Sequence, residues 1–385
     1  HVFERAPDFF TTRTWVRRDG SAELVEVDVP DDAEVWIHGP WIFVAPRSDL
    51  DRGGERHPSG SFLVADLAAF LAGDVPLTAL FTPSPTTALA GFAFTRDHVV
   101  INVIDDVRNR LDAARFPDGD GGGWNVVPIG GVPDAWTISA SAVDPDELDD
   151  LWLIGTDFTT PESLHVASAA GDAAPIPLRQ APHRFAADDV AIEQRFTASA
   201  DGTRVPYFVV GHRDALAAGD GERPTLLTGY GGFEVPRQAA YSAVIGRSWL
   251  ADGGVYVLAN IRGGGEYGPA WHRAGLREKR PRVYEDFEAV ARAVIDSGVT
   301  SASRLGISGG SNGGLLVGNM YVRTPELFGA VVCQVPLLDM RRYHLLLAGA
   351  SWMAEYGDPD DPDDWAYLQS YSPYQLVDPD VDHLD

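Results

Sequence analysis

The sequence contains very little cysteine and lysine. With one cysteine, Cys333, among 385 residues, an intramolecular disulfide is excluded. Cys333 lies in an apolar run, residues 331–335, which predicts a buried strand and a place for the thiol in the core. Lys279 is the single lysine, and the net charge is −26. Because binding to phosphates needs a basic surface, this charge argues against nucleic acid and anionic membranes as partners.

Long apolar runs are absent as well. No stretch reaches the roughly 18 consecutive apolar residues of a membrane-spanning helix, so we expect no membrane insertion. The first residues lack the charged and then apolar pattern of a signal peptide, which favours a cytoplasmic protein. The chain opens on His1, which indicates a processed protein or a fragment. Its 45% of hydrophobic residues is sufficient for two domains with large cores.

Short β-like runs separated by turn residues fill the first half of the chain. They occupy residues 22–29, 34–38, 41–45, 61–65, 98–103, 124–129, 135–140, 151–156 and 163–167. Their spacing predicts an all-β domain over residues 1–185. A sandwich, a barrel and a propeller are all compatible with this pattern.

The pattern changes near residue 185. Strand candidates then alternate with helical patterns, at residues 192–197, 205–210, 225–228, 255–261 and 304–308. Such alternation predicts a mostly parallel sheet covered by helices. We therefore expect a second domain of the α/β class over residues 186–385.

A nucleophile elbow of the pattern G-x-S-x-G is present at Gly309-Gly310-Ser311-Asn312-Gly313. A serine on a sharp strand-to-helix turn has strained backbone geometry and needs small neighbours on each side. A helix that starts there directs its free N–H groups toward a developing oxyanion. Apolar residues recur at helical spacing before and after the motif: Tyr284, Phe287, Val290, Ala291, Val294, Leu315, Leu316, Val317, Met320 and Tyr321. This setting predicts acyl transfer at Ser311, with a glycine loop between core elements as the alternative.

A second glycine-rich loop, Gly229-Tyr230-Gly231-Gly232-Phe233, follows the predicted strand at residues 225–228. In α/β-hydrolases a loop at this place supplies a second oxyanion donor. Tyr230 has a hydroxyl that can donate to the oxyanion, but a tyrosine ring can equally fill the core. The loop by itself leaves both interpretations open.

Three further patterns predict no cofactor and no metal. Residues 263–268 satisfy the dinucleotide-binding pattern G-x-G-x-x-G, but Pro269 follows at once and no second strand ends in an acidic residue about 20 residues later. The ten histidines show no H-E-x-x-H pair. The Asp-rich run at residues 358–364 lacks EF-hand spacing and predicts a solvated loop.

Histidine is scarce after Ser311, where α/β-hydrolases carry first the acid and then the histidine of their triad. His344 and His383 are the histidines in that part of the chain. His344 lies in residues 341–347, which predict the start of a helix, and His383 lies in an acidic segment with no helical pattern after it. We therefore predict neither of them as the catalytic base.

Several motifs together closely resemble the prolyl oligopeptidase family of serine peptidases. They are Tyr-Gly-Gly-Phe at 230–233, Asn-Ile-Arg-Gly-Gly-Gly-Glu-Tyr-Gly at 260–268, Tyr-Glu-Asp-Phe at 284–287, Gly-Gly-Ser-Asn-Gly-Gly at 309–314, Ser-Trp-Met-Ala-Glu-Tyr-Gly at 351–357 and Tyr-Ser-Pro at 371–373. The resemblance covers the chain from about residue 190 to its end. It implies an α/β-hydrolase domain, preceded here by what resembles the later blades of a β-propeller that filters substrates by size.

The resemblance also implies roles for particular residues. Ser311 is similar to the family nucleophile, and the backbone N–H of Asn312 and the hydroxyl of Tyr230 are similar to its oxyanion hole. The residues that match its proline-binding pocket are Asn312, Phe233, Trp352 and Tyr356. In the related arginine-preferring oligopeptidases, the segment that resembles the one around Trp352 is more acidic at this place. The tryptophan found here favours proline, because a flat indole can stack on a pyrrolidine ring.

The sequence departs from the family in two ways. The catalytic Asp and His of the family lie further beyond the serine than this chain extends, and the first blades with the N-terminal hydrolase segment are missing. We therefore expect a truncated piece of a monomeric enzyme, with Asp and His downstream of Asp385 and little or no activity in these residues alone. The expected reaction is hydrolysis of short peptides after proline through an acyl-enzyme at Ser311. The alternatives are an esterase or aminoacyl-peptidase on the same fold, and a non-catalytic binding scaffold.

Overall fold

The computed structural model describes residues 1–17, 20, 22–73, 75–117, 123–133, 136–171 and 173–378. The chain forms two compact units. The first contains residues 1–155, 164–179 and 267–270, and the second contains residues 156–163, 180–266 and the chain from residue 271 onward. The predicted strand at residues 135–140 begins outside the described residues, and His383 lies outside them.

Short strands dominate the first 180 residues, because runs of β-forming residues alternate with turn residues there. The elements are β1 Val2–Arg5, β2 Arg13–Val16, β3 Val25–Glu26, β4 Ala33–His38, β5 Trp41–Pro46, β6 Leu50–Arg52, β7 Glu55–His57, β8 Phe62–Asp66, α1 Leu67–Ala72, β9 Thr78–Phe81, β10 Thr87–Phe94, β11 His98–Asp105, β12 Arg108–Arg115, β13 Asn125–Pro128, β14 Thr137–Ala142, β15 Asp150–Thr156, β16 Ser163–Ser168 and β17 Ile176–Gln180. β3 is much shorter than the strand predicted at residues 22–29, because only Val25 and Glu26 pair with β2.

Three four-stranded sheets organise the first unit. Their strand orders are β4-β5-β8-β9, β10-β11-β12-β13 and β14-β15-β16-β17, and smaller sheets are formed by β1-β2-β3 and β6-β7. Consecutive residues of one strand lie in different apolar clusters. In β5, Ile42 lies in a first cluster and Phe43 in a second. In β11, Val99 lies in that second cluster and Val100 in a third. Because successive side chains point to opposite faces of a strand, the sheets that contain β5 and β11 are covered on both faces. Four-stranded sheets stacked in series are typical of propeller blades.

A six-stranded sheet forms the centre of the second unit. Its strands are β18 Val190–Ala198, β19 Arg204–His212, β20 Thr225–Thr228, β21 Val255–Ala259, β22 Leu305–Gly310 and β23 Ala330–Gln334, in the order β18-β19-β21-β20-β22-β23. The four strands β21, β20, β22 and β23 are parallel. β18 and β19 are joined antiparallel at one side, because the five residues 199–203 between them are too few for a crossover connection.

Helices accompany the parallel strands. They are α2 Arg213–Ala217, α3 Ala243–Ile245 with the π-helical turn Gly246–Leu250, α4 Gly268–Arg273, α5 Pro281–Asp296, α6 Asn312–Arg323, α7 Met353–Tyr356, α8 Pro362–Leu368 and α9 Pro373–Leu376. Pro281 starts α5 at a position where its missing N–H is tolerated, and Phe287 and Val290 of this helix are fully buried with Ile307 of β22. No helix in the described part of the chain is long and apolar enough to span a membrane.

Two local predictions in the second unit are wrong. Cys333 is exposed and not in the core, because β23 lies at the edge of the sheet among the described strands and pairs with β22 alone. Residues 341–347 form only the 3-10 turn Tyr343–Leu345 and not a longer helix. Leu346 after the turn is extended, with ψ of 126°, and Leu347 is left-handed, with φ of 49°, so the helix does not continue.

The Asp-rich run at residues 358–364 is only partly a loop, since α8 begins at Pro362. The side chain of Asp361 accepts hydrogen bonds from the backbone N–H groups of Asp363 and Asp364, which caps the helix. Acidic side chains in a first helical turn also interact favourably with the helix dipole. Clustered aspartates therefore start a helix here.

Two buried charged groups hold the loop that follows β21. Arg262 donates to Asp286 of α5 through Nε at 2.9 Å and through Nη2 at 2.5 Å, and Nη1 donates to Asp201 at 2.6 Å. The Asp286 side chain is fully buried, and that of Arg262 is 5% exposed. Glu266 is fully buried too, and its Oε1 accepts from the backbone N–H of Arg237 at 2.8 Å. Burial raises the pKa of Glu266 to about 7, although the Arg237 hydrogen bond works against this increase.

Asp286→Ala is expected to destabilise the protein strongly. The substitution leaves the buried Arg262 guanidinium without its main partner, and breaking a buried ion pair in this way costs about 3–5 kcal/mol. The free energy of unfolding in urea measures the loss. Asp220→Ala is the matched control, because its ion pair with Arg223 is solvent-exposed and contributes about 1 kcal/mol or less. Equal losses in the two variants would contradict a stabilising role for the buried pair.

Glu266→Gln is expected to change how stability depends on pH. The folded pKa of Glu266 lies above its unfolded value, so the folded state holds a proton that the unfolded state releases, and stability falls as the pH rises from about 4.5 to about 7. A shift of this size corresponds to about 3 kcal/mol across that window. Gln removes the titration, so urea unfolding between pH 4 and pH 8 should show a flatter profile. Glu278→Gln, at an exposed position, serves as the control. Identical pH profiles for Glu266→Gln and Glu278→Gln would contradict the raised pKa of Glu266.

Candidate active site

Ser311 occupies the turn between β22 and α6. Its backbone has φ of 57° and ψ of −118°, a conformation that non-glycine residues rarely adopt. The backbone N–H of Ser311 donates to the carbonyl of Gln334 at 3.0 Å, which holds the turn against β23. A Cβ atom on Gly309 would lie 2.1 Å from the carbonyl oxygen of Gly313. Glycine is therefore required at 309 for the helix to return so close to the strand.

The side chain of Ser311 is available for chemistry. Ser311 is exposed, and in the part of the chain that the structure describes its hydroxyl has no hydrogen-bond partner. The following residue, Asn312, is fully buried and opens α6. Backbone N–H groups in a first helical turn have no acceptor within the helix, so they are free to bind an anion. An acyl oxygen next to Ser311 would meet this donor group.

The side chain of Asn312 connects the elements around the serine. Its Nδ2 donates to the carbonyl of Tyr230 at 2.6 Å. Its Oδ1 accepts from the hydroxyl of Tyr356 at 2.8 Å and also from Nη2 of Arg280. A buried amide with partners on both of its ends has one stable orientation. The Asn312 side chain thus makes positioning contacts that the sequence did not predict, in addition to the roles expected for Asn312 in the oxyanion hole and the pocket.

Tyr230 and Phe233 lie on the glycine-rich loop that follows β20. The loop passes so close to α6 that a Cβ on Gly232 would lie 2.6 Å from Nδ2 of Asn312. The ring of Tyr230 lies beside Gly313, and the residue is half-buried and outside the apolar core of the second unit. Phe233 has a left-handed backbone with φ of 56°, and its N–H donates to Glu355 at 3.0 Å. The loop is therefore fixed at the position next to the elbow.

The three predicted pocket aromatics differ in exposure. Phe233 and Trp352 are partly buried and pack against the core of the second unit. Tyr356 is fully buried, with its ring 5.6 Å from that of Phe233 in an edge-on arrangement. Phe233 and Trp352 are therefore open to a ligand, whereas Tyr356 supports Phe233 and Asn312 from below.

Three buried titratable residues next to the site were missed by the sequence analysis: His272, Arg280 and Glu355. Arg280 Nη1 donates to Glu355 Oε1 at 2.7 Å, and His272 Nε2 lies 2.7 Å from Glu355 Oε2. Burial raises the pKa of Glu355, but its hydrogen bond to His272 and the charge of Arg280 outweigh burial and hold that pKa below its usual value. Glu355 lies inside the motif at residues 351–357, and an acidic residue between aromatic ones was the signal available in the sequence.

One group of side chains has the ligand spacing for a metal ion among the described residues. It consists of His344, Asp358 and Asp360, whose ligand atoms lie within 4.8 Å of one another. His344 Nε2 is 3.1 Å from Asp360 Oδ2, an ordinary hydrogen bond, and Nη2 of Arg341 lies 3.9 Å from Asp360. A neighbouring arginine disfavours a cation there. His344 is thus engaged with Asp360 and not with Ser311.

Comparison with known proteins relates this arrangement to peptidases. The chain is 41% identical over 381 residues to an uncharacterized peptidase of Sinorhizobium fredii, covering 97% of this chain and 51% of that protein. It is 38% identical over 230 residues to a prolyl endopeptidase of Elizabethkingia miricola, covering 59% of this chain and 32% of the relative. The chain spans about half the length of the curated relative that it matches over nearly all its residues.

A solved structure agrees with these relatives. The structure of a post-proline cleaving enzyme from Rickettsia typhi superposes with a TM-score of 0.90 at 30% identity, and covers 100% of this chain and 55% of its own. Residues 243–383 match the sequence profile of the prolyl oligopeptidase family. They include the elbow, α5 and the segment around Trp352. The resemblance predicted from the motifs is confirmed, and residues 243–383 carry the sequence of the prolyl oligopeptidase family.

Proposed function

We propose that this chain carries the nucleophile of a serine peptidase that hydrolyses short peptides on the carboxyl side of proline. The observation that supports it most is the strained turn at Ser311, with an exposed hydroxyl at the start of α6. In the proposed reaction Ser311 Oγ attacks the carbonyl carbon of the proline residue and loses its proton to a base. The amine then leaves with a proton, and water hydrolyses the resulting ester.

The proposed oxyanion hole uses two donors. The backbone N–H of Asn312 lies in the first turn of α6, and Tyr230 lies on the adjacent loop. The backbone carbonyl of Tyr230 accepts a hydrogen bond from the Asn312 side chain. Donors that are fixed before the reaction stabilise the developing negative charge without reorganisation. The contact between Asn312 and the Tyr230 backbone supports this proposal because it fixes both donors relative to Ser311.

The proposed proline pocket uses Trp352 and Phe233 as its accessible surfaces, with Tyr356 beneath Phe233. A pyrrolidine ring is compact and apolar, so the flat faces of aromatic rings can bury it with little loss of side-chain entropy. Two similar proteins, a prolyl endopeptidase and a post-proline cleaving enzyme, support proline as the preferred residue.

The base is proposed to lie outside these 385 residues. Among the described residues, no histidine hydrogen bonds to Ser311, and His344 is engaged with Asp360. We further propose that residues 1–185 form the later blades of a propeller that limits substrates to short peptides, and that residues 186–385 form part of the hydrolase domain. A cytoplasmic monomer without metal or cofactor remains part of the proposal.

Activity of the complete gene product tests this function. It should hydrolyse a chromogenic peptide with proline before the cleaved bond, and Ser311→Ala should lower kcat by about 10⁶-fold, because the nucleophile is lost. The 385-residue chain should be far slower than the complete product. Hydrolysis of simple esters but not of the proline peptide would favour the esterase alternative. If a phosphonate probe fails to label Ser311 in the complete product, a non-catalytic scaffold is favoured.

Trp352→Ala should reduce turnover of the proline peptide more than that of a small ester. The substitution removes an aromatic contact with the proline ring, which contributes about 1–3 kcal/mol to transition-state binding in a desolvated pocket. The ratio of the two kcat/KM values measures this effect. Trp365→Ala is a matched control, because Trp365 also packs partly buried against the same core. An equal decrease on both substrates would show that Trp352 acts in folding alone.

A further inference from the structure

A chain of buried polar contacts runs through Glu355. The side chains of His272 and Glu355 have no exposed surface, and that of Arg280 is 1% exposed. The two oxygens of Glu355 are divided between partners: Oε1 accepts from Arg280 and from the backbone N–H of Phe233, and Oε2 lies 2.7 Å from His272. The other ring nitrogen of His272 lies 3.7 Å from Glu234, which follows Phe233 in the chain. The proposed reaction gives none of the three residues a role.

Stability alone does not account for this arrangement. Removing charges from water is costly, and replacing a buried ion pair by apolar residues of similar volume is often neutral or stabilising. The contacts of the network suggest another reason, because both of its ends reach the proposed site. One end, Arg280, binds Oδ1 of Asn312, and the other, Glu355, binds the backbone of Phe233.

The network joins three elements that carry the proposed substrate contacts. Glu355 belongs to α7, three residues after Trp352 and next to Tyr356. Phe233 belongs to the loop after β20, where its left-handed backbone has to be held by surrounding contacts. Asn312 opens α6 beside the nucleophile. A single carboxylate therefore connects both accessible pocket aromatics to the residue that supplies the oxyanion N–H.

We propose that Glu355 and Arg280, supported by His272, are positioning residues that fix the Phe233 wall of the proline pocket relative to the Asn312 N–H and Ser311. This inference rests on the proposed function, because it concerns the same site. Glu355 remains ionised beside Arg280, so the network holds a fixed geometry and takes no proton from the substrate. Arginine suits the connecting position because its planar fork donates to Glu355 and to Asn312 at the same time.

Two substitutions in the complete gene product test the proposal: Glu355→Gln and Arg280→Met. The matched controls are Glu288→Gln and Arg292→Met, which break an exposed ion pair on α5. Each variant is assayed on a proline-containing peptide and on a small ester. Rates are divided by the concentration of Ser311 that a phosphonate probe titrates, so that unfolded protein does not contribute to the result.

Per titrated site, Glu355→Gln should lower kcat/KM on the proline peptide by about 10- to 100-fold and affect the ester less, since misplacing a binding group by about 1 Å costs up to a hundredfold. Arg280→Met should lower kcat/KM on both substrates, because the Asn312 N–H binds the oxyanion of any acyl group. Arg280→Lys, which keeps the charge beside Glu355 but lacks the fork, should recover stability more than activity. Unchanged per-site constants, together with lower urea midpoints, would show a structural role only and overturn the proposal.

The double variant Arg280→Met/Glu355→Gln keeps the test decisive if a single variant folds poorly. It leaves no unpaired buried charge, so its urea midpoint should recover relative to the single variants. Its per-site kcat/KM should stay low, and recovery of activity together with stability would overturn the inference. If the wild type is labelled at Ser311 but does not hydrolyse the proline peptide, the proposed function fails, and the labelling rates of the variants then decide the inference. A wild type that is not labelled would overturn both.

Discussion

The backbone of Ser311 imposes the constraint on which the rest of the second unit depends. A non-glycine residue in a sparsely populated conformation costs about 1–3 kcal/mol and persists only where its surroundings hold it. Here the parallel pairing of β20, β22 and β23 fixes one side of the turn, and the buried face of α6 fixes the other. The hydrogen bond from the Ser311 N–H to the Gln334 carbonyl holds the turn against β23. The sheet and the helix thus hold one hydroxyl in an exposed position.

Buried charge plays different roles in the two units. The strands of the first unit alternate between neighbouring apolar cores, and its buried Arg52 and Asp149 pair with the exposed Asp28 and Arg96. The second unit also has an apolar core, but it buries two arginines, Arg262 paired with Asp286 of α5 and Arg280 paired with Glu355 of α7. Directional contacts of this kind define geometry better than apolar packing does. They occur where the proposed chemistry requires defined geometry.

The sequence was informative where the relevant pattern is local. The elbow, the strand at residues 225–228 and the helix after Ser311 follow from short-range spacing, and the structure has them. The environment of Cys333 was mispredicted because an apolar run does not show whether a strand lies inside a sheet or at its edge. The network around Glu355 was missed because its partners are far apart in the sequence: Glu355 follows His272 by 83 positions and Arg280 by 75 positions. No periodic pattern connects residues at such distances.

Trp352 and Tyr356 show why a motif alone does not assign a role to each of its residues. They are four residues apart and would share one face of a regular α-helix. In this protein Trp352 ends the 3-10 turn Gly349–Trp352, Tyr356 ends α7, and Gly357 turns the chain away with φ of 112°. The change of helix type leaves the Trp352 ring partly exposed against the core and buries the Tyr356 ring completely. The buried hydroxyl of Tyr356 then donates a hydrogen bond to Asn312, the residue that follows Ser311. Tyr356 resembles a pocket wall in the sequence, but in the structure it supports Ser311 through Asn312.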